Sequence, residues 1–171
     1  MVTLRKENSS DYADIVRVND LAFGRKAEGN LVNALRKTDL FIPDLSIVAE
    51  SEKQIVGHIL FYPVFIHNKD KKIATLTLAP MSVLPDFQKK SIGKLLVVYG
   101  LQMAHDLGHD SVVVLGHPSY YPKFGFQPAS KWEIRSPFPA PDEAFMAKEL
   151  KKGGLLNVSG KVEFPDAFAY L

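Results

Sequence analysis

The chain contains no cysteine, which excludes disulfides, thiolate metal ligands and a cysteine nucleophile. It has no apolar run approaching the roughly 20 residues that span a bilayer. Its start, "MVTLRKENSSDY", lacks the apolar stretch of a secretory leader. Charge of one sign is also missing: 21 Lys and Arg stand against 19 Asp and Glu, a net +2. That surplus is too small to call for nucleic acid or a membrane surface as partner. A cytoplasmic protein is the expectation that fits these absences. No metal is expected either. His58 and His67 lie far apart on one apolar stretch, and His105 and His109 sit at a helix end without an HExxH pattern.

What is present is ordinary globular material. The 171 residues are 46% hydrophobic and 23% charged, with 11 Phe and 6 Tyr for a core. That suits one domain over residues 1–171. Residues 2–7 alternate as a first strand, and Ser9 or Ser10 is placed to cap a helix carrying Ile15, Val18, Leu21 and Ala22 on one face. A short helix follows Glu28, with Leu31 and Leu35 one turn apart. "LSIVAESEKQIVGHILFYPVFI" reads as two strands about a polar turn at residues 51–53, and "IATLTLAPMSVL" as a third.

A helix is expected over residues 92–107, ended by Gly108. "SVVVLG" beyond it is a β-branched run suited to a buried strand. Strand, helix and strand with short connections make a βαβ unit, so the strands before and after this helix should be parallel. The Pro-rich, aromatic tail supplies further strands and ordered loops. The sum is an α+β domain.

The connection "LPDFQKKSIGKLL" places polar residues between a buried strand and a buried helix. The first N–H groups of such a helix have no intrahelical partner, and with the helix dipole they attract an anion. Gly93 permits close approach, and Lys89, Lys90 and Lys94 add positive charge. A diphosphate fits. The plainer alternative makes Ser91 an N-cap and the lysines solvated. GxxxxGK[ST] and GxGxxG phosphate loops are both absent.

"MSVLPDFQKKSIGKLL" resembles the cofactor motif of the GCN5-related N-acetyltransferase (GNAT) superfamily, with Val83, Pro85, Gln88, Ser91 and Gly93 at the motif positions. "YYPKFGF" is similar to that family's Tyr-x-x-x-Gly-Phe element, through Tyr121, Gly125 and Phe126. The element order matches as well, and the tail resembles the YhbS-like branch of predicted acetyltransferases. Ser91 departs from the pattern, which usually has glycine there.

The resemblance implies a GNAT-type acyl-CoA N-acyltransferase fold, a mixed twisted sheet of about six to seven strands flanked by helices. It implies transfer of an acetyl group from acetyl-CoA directly to an amine acceptor in a ternary complex. Backbone groups of Met81, Ser82 and Val83 would pair with the pantetheine arm. Gln88, Lys89, Lys90, Ser91, Ile92, Gly93 and Lys94 would wrap the pyrophosphate. Dimers are common in that family, so a homodimer is one expected state.

A lysine-type amine, with a pKa of about 10.4, must be presented neutral, at a cost of about 4 to 5 kcal/mol at pH 7. A base or a desolvating pocket is therefore worth having. Tyr121 stands where the family keeps its general acid, with ring packing as the alternative. His117, past the parallel strand, titrates in the right range and is a candidate base, or else a hydrogen-bonded structural histidine. Glu28 lies where the family binds acceptors, against the plainer reading of an exposed glutamate favoured by the helix dipole. The strand "LTLAPMSV" holds no carboxylate to serve as base. That gap and Ser91 motivate the competing reading, a non-catalytic acyl-CoA binding or sensing domain.

Overall fold

Polar turns separate the apolar runs in the first half of the chain, and each run becomes a strand. A computed structural model describes all residues 1–171. The strands are β1 (Val2–Lys6), β2 (Ser46–Ser51), β3 (Gln54–Asn68), β4 (Lys71–Val83), β5 (Ser111–Leu115), β6 (Gln127–Pro128), β7 (Ile134–Arg135), β8 (Phe145–Glu149) and β9 (Gly160–Glu163). The helices are α1 (Tyr12–Phe23), α2 (Ala27–Arg36) and α3 (Ile92–Asp106). The sheet runs β1-β2-β3-β4-β5-β8-β6, with β9 beside β3 and β7 beside β9. Nine strands exceed the expected six to seven because β6 and β7 have only two residues each, too few to show a period.

The chain divides into two compact units, and β3 and β4 contribute residues to both. The first comprises Met1–Tyr62, Ala79–Met103 and Ala167–Leu171. In it β1 and β2 pair antiparallel, as do β2 and β3. α3 packs on β3 through two glycines that leave no room for a side chain. A Cβ on Gly57 would meet Ile92 and Leu96, and one on Gly100 would overlap the Phe61 ring. Ile92, Leu96 and Val97 are buried, each contributing about 1.5–3 kcal/mol of apolar burial.

The start of α1 corrects the expected cap. Asn8 caps a 3₁₀ turn over Ser9–Asp11 in a reciprocal capping box with Asp11, and α1 begins only at Tyr12. Asp11 is in turn held by Arg5 at 2.7 Å.

The second unit comprises Pro63–Leu78 and Ala104–Asp166. β4 and β5 are parallel, as the βαβ argument requires, through Leu76–Val112 and Thr77–Val113. β8 pairs antiparallel with β5, and β7 pairs parallel with β9. Val112, Val113, Phe126, Met146 and Val162 are buried there. No helix of the chain is long and apolar enough to cross a membrane.

Candidate functional site

β4 continues to Val83, well past Thr77, its last residue in the ladder with β5. Pro80 lies in that stretch and has no N–H to offer a neighbour. Prolines inside strands belong at open edges or bulges, a signal in the sequence for an open segment of β4. Leu84 donates to the Val56 carbonyl at 2.8 Å, so β3 holds the other edge of β4. Of the segment expected to pair with pantetheine, Ser82 and Val83 are buried and Met81 is half-buried.

The loop after β4 opens with a 3₁₀ turn over Pro85–Phe87. Gln88 does not project toward a ligand with its amide: Nε2 donates to the Val83 carbonyl at 3.1 Å. That bond ties the loop back to the strand end. Lys89, Lys90, Ser91 and Lys94 are all exposed, and Lys90 Nζ lies 5.3 Å from the Phe87 ring centre.

Two loop residues other than glycine have left-handed backbones, Lys89 at φ 62° and Ser91 at φ 66°. This explains why the family pattern favours glycine at position 91: the conformation costs about 1–2 kcal/mol with a side chain. Ser91 is therefore not an ordinary N-cap, whose backbone would be extended. Its carbonyl accepts the first helical bond, from Leu95 N–H at 3.1 Å. The N–H groups of Ile92, Gly93 and Lys94 precede that bond and have no intrahelical acceptor. An anion placed there meets aligned donors, the positive helix end and three exposed lysines.

Tyr121 belongs to the second unit and is differently housed. Its ring is 8% exposed, edge-on to Tyr120 at 5.1 Å and to Phe126 at 5.7 Å. Gly116 makes the seat, since any Cβ there would overlap the Tyr121 ring. Gly125, with φ 94°, ends the short turn Tyr121–Phe124 as only glycine does comfortably. Burial, with the Tyr120 hydroxyl adding to it, pushes the phenol above its ordinary range. It is fully protonated at neutral pH. Packing and placement thus coexist in this residue.

His117 is exposed, and its carbonyl accepts the Tyr120 and Tyr121 N–H groups at 3.1 and 3.4 Å. The alternative of a hydrogen-bonded structural imidazole is not what the structure shows. Glu28 corrects the plainer reading made for it. It is 3% exposed rather than solvated. Its two oxygens lie 3.0 and 3.1 Å from Arg25 Nε, and Arg25 Nη2 also contacts it. The signal was the arginine three residues earlier, on the facing turn.

A family profile described as an acetyltransferase (GNAT) domain matches residues 43–128. The uncharacterized N-acetyltransferase YjhQ of Escherichia coli K12 is 35% identical over 142 residues, 82% of this chain and 78% of that protein. YhbS of the same strain, also called an uncharacterized N-acetyltransferase, is 31% identical over 165 residues, 96% of this chain and 97% of that one. The crystal structure of E. coli YhbS in complex with CoA superposes with a TM-score of 0.90 at 29% identity, over 98% of this chain and 92% of that one. A GNAT family acetyltransferase from Brucella melitensis in complex with acetyl-CoA gives 0.79 at 32% identity, over 98% of both chains. The α+β fold, the loop motif and these likenesses agree, and the chain belongs to the GNAT family of N-acetyltransferases.

Proposed function

We propose that this chain binds acetyl-CoA and passes its acetyl group directly to an amine in a ternary complex, the whole of residues 1–171 acting as one domain in the cytoplasm. The observation that carries the reading is the loop of residues 88–94. It presents left-handed backbone, unpaired helix N–H groups and exposed lysines together, on a chain whose relatives are structures with CoA and acetyl-CoA bound. Met81, Ser82 and Val83 offer backbone groups to the pantetheine arm. The N–H groups from Lys89 to Lys94 take the pyrophosphate, while Gln88 braces the loop.

Tyr121 serves the leaving sulfur. A thiol of about pKa 8.5 is a stronger acid than a phenol of about 10. Net proton loss to the thiolate would therefore run uphill by about 2 kcal/mol for an ordinary phenol, and by more for Tyr121, whose burial raises its pKa further. Its hydroxyl accordingly donates a hydrogen bond to the sulfur, and the proton lost by the amine makes good the transfer. His117, exposed just beyond β5, is the candidate base for the amine. Glu28, closed by Arg25, supports the acceptor side.

Thiol release from acetyl-CoA across an amine panel, beside calorimetric binding, tests the reading. Binding with no release for any amine would favour the acyl-CoA sensing domain, which Ser91 and the carboxylate-free β4 motivate. The oligomeric state, monomer or homodimer, is tested separately by light scattering.

A further inference from the structure

The first unit contains a buried polar group that the reading above does not use. Ser46, His58 and Asn19 have no exposure. Asn19 Nδ2 lies 2.9 Å from the Ile15 carbonyl and 3.4 Å from His58 Nδ1, and Ser46 Oγ lies 2.9 Å from His58 Nε2. An amide nitrogen only donates, so Nδ1 accepts and the neutral ring carries its proton on Nε2, toward Ser46. Two atoms beside this group have no partner: Asn19 Oδ1, and Oγ of Ser82, which is 3% exposed.

The bond from Leu84 N–H to the Val56 carbonyl fixes the local register where β4 ends beside β3. Two residues back along β4 and two forward along β3, this register sets Ser82 opposite His58 with its side chain on the same face. Asn19 of α1 rests on that face through its contact with His58. An unpaired buried polar atom costs about 1–3 kcal/mol. Two of them around one imidazole await a donor.

We propose that Ser82 Oγ and Asn19 Oδ1 accept the N–H groups of the acceptor amine in its neutral form, so that the acceptor is an amine of low basicity, of the α-amino class rather than the lysine class. The inference rests on the acetyl-transfer reading, which places the thioester along the segment that contains Ser82. The amine nitrogen attacks the thioester carbonyl carbon, the C–N bond forms as the C–S bond breaks, and the proton lost by the amine ends on the CoA sulfur.

The buried carboxylates of this unit are closed by arginines, and one oxygen of Asp20 is left unpartnered on the α2 side. Glu28 is closed by Arg25, Glu7 by Arg36 and Asp11 by Arg5, and the free Asp20 Oδ1 lies against Gly29 of α2. His58 itself is held neutral by burial, with Arg36 adding to the effect. An α-amine of pKa about 8 has a few hundred times more neutral form at pH 7 than a lysine amine of about 10.4.

The test compares thiol release from acetyl-CoA with alaninamide and with Nα-acetyl-lysinamide, for the wild type, Ser82→Ala and Ser82→Thr. Alaninamide should be at least ~10-fold faster at pH 7, with the ratio narrowing toward pH 9. Ser82→Ala should lower that rate at least ~10-fold with acetyl-CoA affinity and Tm preserved, because it deletes an unpaired hydroxyl. Ser82→Thr should recover part of the rate. Equal or faster use of the ε-amine at pH 7, an unchanged rate in Ser82→Ala, or no release with either amine despite acetyl-CoA binding would each overturn the inference. Failure of the wild type to bind acetyl-CoA would instead defeat the reading on which it rests.

Discussion

The loop of residues 88–94 and the seat of Tyr121 are made of opposite materials. The loop is exposed, cationic and left-handed at two side-chain-bearing residues. Tyr121 is enclosed by two aromatic rings and a glycine, and no charge lies among those neighbours. On the proposed function, the difference follows from what each would meet. A diphosphate is bound through backbone donors and charge that stay accessible, and the backbone accepts strain to aim them. A phenol that must stay protonated gains from burial, which disfavours its anion. Substitutions in the loop should therefore move affinity and leave the fold, while those around Tyr121 should move turnover or stability and leave affinity.

The largest separation is expected for Gly93→Glu. A carboxylate in the first turn of α3 suits the helix dipole, so Tm should hold or rise slightly. The same charge repels a diphosphate, and acetyl-CoA affinity measured by calorimetry should fall at least ~100-fold, about 2.7 kcal/mol. Unchanged affinity would remove the loop from the site. Next comes Tyr121→Phe, which keeps the packed ring and deletes the hydroxyl. Thiol release should drop ~10-fold or more, in the range for general acid–base groups, with acetyl-CoA affinity within about twofold. A loss of Tm with normal turnover per folded molecule would instead make Tyr121 a packing residue only.

Gly116→Ala should show the seat itself. Its methyl overlaps the Tyr121 ring, so overpacking of about 1–3 kcal/mol should appear in denaturant unfolding, together with slower turnover. A silent alanine would mean that the ring moves freely. Acid gives a smaller, graded effect through another buried group. His58 titrates near 6.5 in the unfolded chain but is pushed down to about 3 in the fold by burial. Above pH 6.5 neither state holds the proton and the full stability is present. Below it the unfolded chain takes up the proton and the folded chain does not, so stability falls by up to about 1.4 kcal/mol per pH unit. Urea midpoints between pH 7 and 5 should therefore decline; a flat series would contradict the buried neutral imidazole. The smallest change is expected for Ser91→Gly, which should relieve the left-handed strain by about 1 kcal/mol, less the entropy glycine adds to the unfolded chain.

The sequence was most readable where local chemistry repeats. Alternating runs and polar turns marked β2, β3 and β4, and Gly108 closed α3 close to its expected end. The short connections around α3 were enough to require the parallel pairing of β4 and β5. Legibility failed where partners are distant or the unit is short. Two-residue strands have no period, so β6 and β7 were invisible. Asn8 took the cap because a 3₁₀ turn precedes α1, which no helical spacing announces. The burial of Glu28 depends on how α2 packs, although Arg25 hinted at its partner. Within the site, the loop could be seen as a motif, but the left-handed turn at Ser91 could not. Gly116 looked like a strand end, and only the fold reveals that it seats Tyr121. His58 read merely as a histidine without metal partners, because Asn19 and Ser46 reach it from distant parts of the chain.

The central claim is that the loop before α3 holds acetyl-CoA, and calorimetric titration of the purified protein tests it most directly. Saturable one-to-one binding is expected, weakened when the 3′-phosphate of CoA is absent, since the loop carries exposed lysines. A folded protein that gives no binding heat with acetyl-CoA, and no change of Tm in its presence, would contradict it.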